Sequence, residues 1–409
     1  MASSRVADDL RPAPSGDTAA APQGRLLGLD VVRAIAILSM TFVHVWPTGW
    51  WKPILPPADA VPLLGWLNVV LTQRAMSLFI FCAGVSVALV TGAANPPSGR
   101  RMSIARRRLA VRSAVMFPLA LALLQYGEVI LTLYCFWFVM LLPLTRLRAR
   151  PLFVAAAVCA AVGPVLRFVM LNYVGQWSMP HEGFSLLLHP ADLLYFVAGP
   201  DTLYASALLL AGMAVGRLDL HAHAVRVRLA AAGGAVVAGA LLMWGLAAGP
   251  LGGARTLAAI TPSRPGSGEL PWIALFIMRP YRMFDISLPM GASMIGLGML
   301  LIGVFLIVTD KAVWGRVLWP VAAMGSVALT CYVGHFLLLI PFNNPLPYSF
   351  AVFAGVTVVM IVAAALWRRR WRRGPLEWLV HRAMVWAVPG DQPRDETPSR
   401  FTQRVPRPD

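Results

Sequence analysis

Ten apolar runs recur along this chain, near 27–46, 73–93, 109–125, 127–145, 151–171, 200–215, 229–248, 286–308, 317–341 and 350–367. Most are long enough to cross a bilayer, which takes about 17–25 helical residues, while 109–125 and 200–215 are short. In hydrocarbon each backbone amide must find its partner within its own segment, so runs of this kind fold as helices. The expected fold class is all-α, a polytopic membrane helical bundle of about ten transmembrane helices with both termini cytoplasmic. Composition points the same way. With 58% hydrophobic residues, 13% charged residues and a mean hydropathy of +0.67, the 409-residue chain has too few charges to cover a soluble surface.

The formal charge of +17 invites a nucleic-acid reading, but its placement argues against one. Arg100, Arg101, Arg106, Arg107 and Arg108 lie between the second and third runs, and Arg146, Arg148 and Arg150 between the fourth and fifth. Arg217, Arg226 and Arg228 follow the sixth, Lys311 and Arg316 the eighth, and Arg368, Arg369, Arg370, Arg372 and Arg373 the tenth. With ten helices all of them fall on one side, as the positive-inside rule requires, and an odd number would break the pattern. The expected partner is therefore membrane lipid, with no nucleic acid, and the expected location is multi-pass in the plasma (cytoplasmic) membrane.

Residues 1–24, rich in Pro, Ala and Ser, read as a disordered cytoplasmic tail without a cleavable signal. Residues 25–373 form the expected transmembrane domain, and 374–409 a cytoplasmic C-terminal tail. On the opposite side, loops near 47–72, 172–199 and 249–285 carry Trp, Pro, Gly and His, as at a membrane boundary. Cys82, Cys135, Cys159 and Cys331 lie in apolar runs without CxxC spacing, so neither a disulfide nor a metal site is expected. No Walker motif, GxSxG or HExxH is present. No strong internal repeat signals an inverted-repeat transporter.

Within the first run, Asp30, Arg33 and His44 are ionisable. Such groups cost about 3 kcal/mol each in hydrocarbon and mark function by default. At about 100° and 1.5 Å per residue, Arg33 and His44 share one face within roughly 20°, about 16 Å apart. Asp30 sits one turn before Arg33, spaced for an i,i+3 ion pair. His44 has the titration range of a general base; the bland alternative is an interfacial histidine bonded to a loop. Arg33 suits an anionic group of a ligand, or else pairs with Asp30 purely to fix the helix.

His335, late in the ninth run beside Gly325, Ser326 and Thr330, is placed to line the same cavity as His44, or to be satisfied by a neighbouring helix. Glu128 opens the fourth helix, where it either favours the helix dipole or orients His44. Asp192, Asp201 and Asp285 face the same side, the last two as helix caps. The stretch containing Arg106 and Arg107 is explained by topology and anionic lipid, and also suits a phosphate-rich cofactor such as coenzyme A.

Several of these stretches resemble an integral-membrane acyltransferase superfamily. Leu29-Asp30-Val31-Val32-Arg33 through His44 resembles the opening signature of acyltransferase family 3, in which ten residues separate an Arg from a His. Phe79-Ile80-Phe81-Cys82-Ala83-Gly84-Val85-Ser86 is similar to a second-helix pattern of the heparan-α-glucosaminide N-acetyltransferase-like relatives. Tyr126-Gly127-Glu128 through Tyr134 resembles a stretch of the YeiB-like branch, with Glu128 replacing its Asp. Gly325-Ser326-Val327-Ala328-Leu329-Thr330-Cys331-Tyr332 resembles that branch's C-terminal segment.

The resemblance implies transfer of an acyl group, acetyl above all, from acyl-CoA as a cosubstrate that is not permanently bound. The acceptor would be a hydroxyl or amine of a sugar, cell-envelope glycan or glycolipid. It implies His44, Glu128 and His335 as catalytic residues, Arg33, Asp30, Arg106 and Arg107 at the donor, no metal, and leaves room for a homo-oligomer. Two alternatives stay open: a small-molecule or lipid transporter using the stripe of the first helix, and a catalytically inactive relative.

Overall fold

The computed structural model describes residues 26–45, 62–123, 130–174, 188–192, 194, 199–259, 270–278, 287–339 and 350–389. Among these residues the chain is helical and has no strand. The body is built from α1 (Leu27–Val45), α2 (Pro62–Val90), α3 (Gly99–Leu123), α4 (Ile130–Met140), α5 (Ala149–Val169) and α6 (Pro200–Gly216). It continues with α7 (His223–Ala248), α8 (Leu288–Val308), α9 (Trp319–Ser326), α10 (Ala328–Leu339), α11 (Phe350–Arg370) and α12 (Pro375–Ala387). Short helices at Gly253–Ala259 and Ala312–Val317 join longer ones.

Each apolar range of the sequence coincides with a helix, and 317–341 with the pair α9 and α10. By length and apolarity alone, five described helices suffice to cross a membrane (α1, α5, α7, α8 and α11), or six if α9 and α10 count as one span. The expected ten exceed this because the apolar part of α2, Arg74–Val90, and α4 and α6, with 11 and 17 residues, fall short, while the first half of α3 is dense with arginine. The long apolar helices mark a membrane protein. Val154 and Val158 on α5, Leu242 and Leu246 on α7, and Val358, Val362 and Leu366 on α11 are exposed, the pattern of helices whose outer faces meet lipid rather than water.

Inside, small residues set the spacing. α6 runs buried between α2 and α5, and a Cβ added at Gly84 or Gly212 would lie 2.0 Å from a carbonyl oxygen of the opposing helix. Only glycine permits that approach. At one end Arg217 donates to the carbonyls of Ala88, Thr91, Ala93 and Thr145 at 2.5–3.2 Å and ties the close of α2 to the turn after α4. Arg226 pairs with Asp310 at the same end. Part of the arginine pattern read as topology is therefore also structural.

Two features differ from expectation. The range 317–341 is no straight span: α9 and α10 meet at 89°. Gly325 and Ser326 precede the break, and the Ser326 hydroxyl bonds back to the Ala323 carbonyl at 2.7 Å, a combination that bends helices. Gly325 is packed so hard on α1 that a Cβ there would sit 1.7 Å from the Asp30 carbonyl oxygen. Second, the expected C-terminal tail begins with α12, which packs on α3 and α10. Pro375 starts this helix; Leu376, Val380 and Met384 turn inward, while Trp378, Leu379 and Trp386 are exposed.

Candidate functional site: a cavity and a histidine pair along one helix

Helix α1 places the polar residues of the stripe as their spacing dictates. Near its start Arg33 donates to Asp30 at 2.9 Å and to the Ser86 hydroxyl at 2.7 Å; that hydroxyl in turn donates to the Cys82 carbonyl at 2.7 Å. The Asp30 side chain is nearly buried, with Arg33 more open at 21% exposure. An aspartate this deep needs the guanidinium beside it, because burying a lone charge is prohibitive. Arg33 still reaches open space.

That space is a cavity of about 450 Å³ bounded by α1, α2, α3, α4, the α9–α10 break and α12. Four arginines line it: Arg33, Arg112, Arg372 and Arg373. Glu377 is the one carboxylate of the lining among the described residues. Arg112 comes from α3, with its guanidinium 5.4 Å from the centre of the Phe138 ring. Farther in, the walls turn aromatic. Phe79 stacks on Tyr332 at 5.2 Å and meets Tyr134 at 5.5 Å, and Tyr134 stacks on Phe138 at 5.7 Å. A chamber cationic at one end and apolar at the other fits a ligand built the same way.

At the other end of α1 the two histidines meet. Nδ1 of His44 and Nε2 of His335 are 3.0 Å apart, and the rings lie nearly parallel with centroids 5.2 Å apart. His335 is fully buried. Phe336 packs on both rings, and the edge of Tyr332 meets His335 at 5.4 Å. Neither histidine lines the cavity, while Tyr332 both lines it and touches His335. One aromatic layer thus separates the cationic chamber from the histidine pair.

The structure brings together Asp30 with Arg33, and His44 with His335, and it puts Arg33 in the cavity wall. Arg106 spends its guanidinium on the Thr145 hydroxyl at 2.9 Å and the Pro143 carbonyl at 3.1 Å; neither it nor Arg107 lines the cavity. Glu128 and Asp285 lie outside the described residues. Asp201 sits in the first turn of α6 and pairs with Arg167 at 3.7 Å; Asp192 is buried. The four cysteines are free, and no cluster of three or more metal-ligating side chains occurs among the described residues.

The sequence does not single out Arg112, Arg372, Arg373 or Glu377. Arg112 opens an apolar run and the other two arginines look like topology signals. Glu377 stands at the third position of its own helix after Gly374 and Pro375, which reads as an ordinary first-turn acid. In the structure it serves another helix instead: its carboxylate accepts from the amides of Leu329 and Thr330 at 2.7 and 3.1 Å and from the Thr330 hydroxyl at 2.5 Å.

Residues 270–387 match the family described as "Protein of unknown function (DUF418)". The matched stretch contains His335, Arg372, Arg373 and Glu377, and excludes α1. No curated protein matches the chain.

Proposed function

We propose that this protein is an integral-membrane acyltransferase that moves an acyl group, acetyl in the simplest case, from acyl-CoA to a hydroxyl or amine of a sugar, cell-envelope glycan or lipid-linked acceptor. The observation that carries this reading is the pairing of His44 with His335 at 3.0 Å, one aromatic layer from a chamber lined by four arginines. The arginine end faces the cytoplasm by the positive-inside rule, the side from which a coenzyme thioester arrives. The phosphates of the donor lie against the guanidinium groups, where charge-assisted bonds are strong. The thioester arm passes inward along the Phe79 and Tyr332 wall.

The histidine pair supplies the base. With Nδ1–H of His44 donating to Nε2 of His335, Nε2 of His44 keeps its lone pair. It takes the proton of the acceptor O–H or N–H as that heteroatom attacks the thioester carbonyl. The tetrahedral intermediate then breaks its C–S bond, and the departing thiolate takes the proton back from His44. Asp30 and Arg33 hold α1 in register between the cavity and the histidine pair.

The bent α9–α10 span is the specific feature that favours the rival reading as a permease, since broken helices often line transport paths. One experiment separates the two: purified full-length protein in detergent is given radiolabelled acetyl-CoA and cell-envelope extract, with His44→Ala beside the wild type. Label transferred by the wild type and reduced by about 10²–10⁴-fold in the variant supports the acyltransferase. No transfer or hydrolysis by folded wild type, across several acyl-CoAs, overturns it.

A further inference from the structure

The broken span leaves the first amides of α10 without helical partners, as at any helix start. Where a membrane helix breaks, such a positive half-helix end points at an anion. Here the anion belongs to the chain. Glu377 reaches across from α12, takes the Leu329 and Thr330 amides on one oxygen and the Thr330 hydroxyl on the other. That same hydroxyl accepts from the Leu376 amide at 3.2 Å, so the first turn of α12 is knotted to the break. The knot is tight: a Cβ at Gly374 would fall 2.2 Å from a Glu377 carboxylate oxygen and 2.7 Å from the Thr330 hydroxyl.

The knot sits inside the cationic chamber. Glu377, Val380, His381 and Met384 make α12 one wall of the cavity, and the Glu377 carboxylate acts electrostatically on Arg112. Arg33 has Asp30 as its counter-ion. Among the described residues, Glu377 is therefore the only acid in the lining to set against Arg112, Arg372 and Arg373. A single carboxylate balances one of three guanidinium charges; a phosphate ester or pyrophosphate brings two or more and gains from all of them.

We propose that Glu377 is a displaceable counter-anion, and that a phosphate-bearing ligand takes its place at the start of α10, releasing α12 as the wall that opens and closes the chamber. This rests on the assignment of the chamber as the donor's anion site, and it adds how that site is regulated. In the ligand-free chain the knot holds α12 shut. Once a phosphate takes the place of Glu377, α12 keeps the bond from the Leu376 amide to the Thr330 hydroxyl and the inward contacts of Leu376, Val380 and Met384.

The test uses the full chain in detergent with inorganic pyrophosphate as the probe, measured by equilibrium binding and by hydrogen exchange of residues 375–387. The expected result is binding by wild type, faster exchange in the first turn of α12 on binding, and about tenfold tighter binding by Glu377→Gln. If pyrophosphate binds while exchange stays unchanged and Glu377→Gln binds no more tightly, the latch is overturned and the anion site stands. Should neither protein bind pyrophosphate, both fall. Exchange in the wild type is decisive even if Glu377→Gln does not fold.

Discussion

The two ends of α1 use the same helix for opposite purposes. At the Arg33 end, charge is abundant and open: four arginines and one carboxylate face a cavity of about 450 Å³. At the His44 end, charge is scarce and enclosed: two imidazoles at 3.0 Å, with a fully buried His335, are packed by Phe336 and Tyr332. A cationic chamber stabilises a bound anion and gains little for bond-making. The pair of imidazoles, packed by Phe336 and Tyr332, offers no charge to hold an anion but fixes one ring against the other. If the protein works as proposed, the difference makes binding and proton transfer physically separable, and substitutions should separate them.

The largest effect is expected at the enclosed end. His335→Ala removes the group that orients His44, so transfer should fall by about 10²-fold or more with the KM for donor within about twofold, as steady-state kinetics would show. A rise in KM with unchanged kcat would break the division. At the open end, Arg33→Gln removes a guanidinium from the cavity and leaves Asp30 buried without its 2.9 Å partner. Losing a charge-assisted contact costs about 1.5–3 kcal/mol, so donor KM should rise about tenfold or more, with some loss of thermal stability. The smallest effect is expected for Arg106→Gln, whose guanidinium serves Thr145 and Pro143; KM should stay within about twofold, and a tenfold rise would extend the anion site to the start of α3.

Helical periodicity made much of this legible. The three-residue offset of Asp30 and Arg33 yields the expected ion pair, while His44, eleven residues after Arg33, meets His335 outside the cavity that Arg33 lines. Apolar run length located the helices, because satisfying the backbone in lipid leaves few options. What escaped was tertiary. The bend after Ser326 looks in sequence like a small-residue packing face, and Gly325 does serve that role against Asp30. Only the crossing of α1, α9 and α10 turns it into a break. Glu377 is read locally as a cap of its own helix, yet it satisfies amides 47 and 48 residues earlier. Arginine clusters are ambiguous for the same reason: a topology signal, a structural donor such as Arg217 and a cavity-lining residue such as Arg112 carry one and the same side chain.

The most direct test of a donor site separate from the histidine pair is equilibrium binding of labelled acetyl-CoA to the wild type, His335→Ala and Arg112→Gln in detergent. The account predicts equal binding by the wild type and His335→Ala, and about tenfold or weaker binding by Arg112→Gln. Equal binding by all three, or a loss confined to His335→Ala, would contradict it.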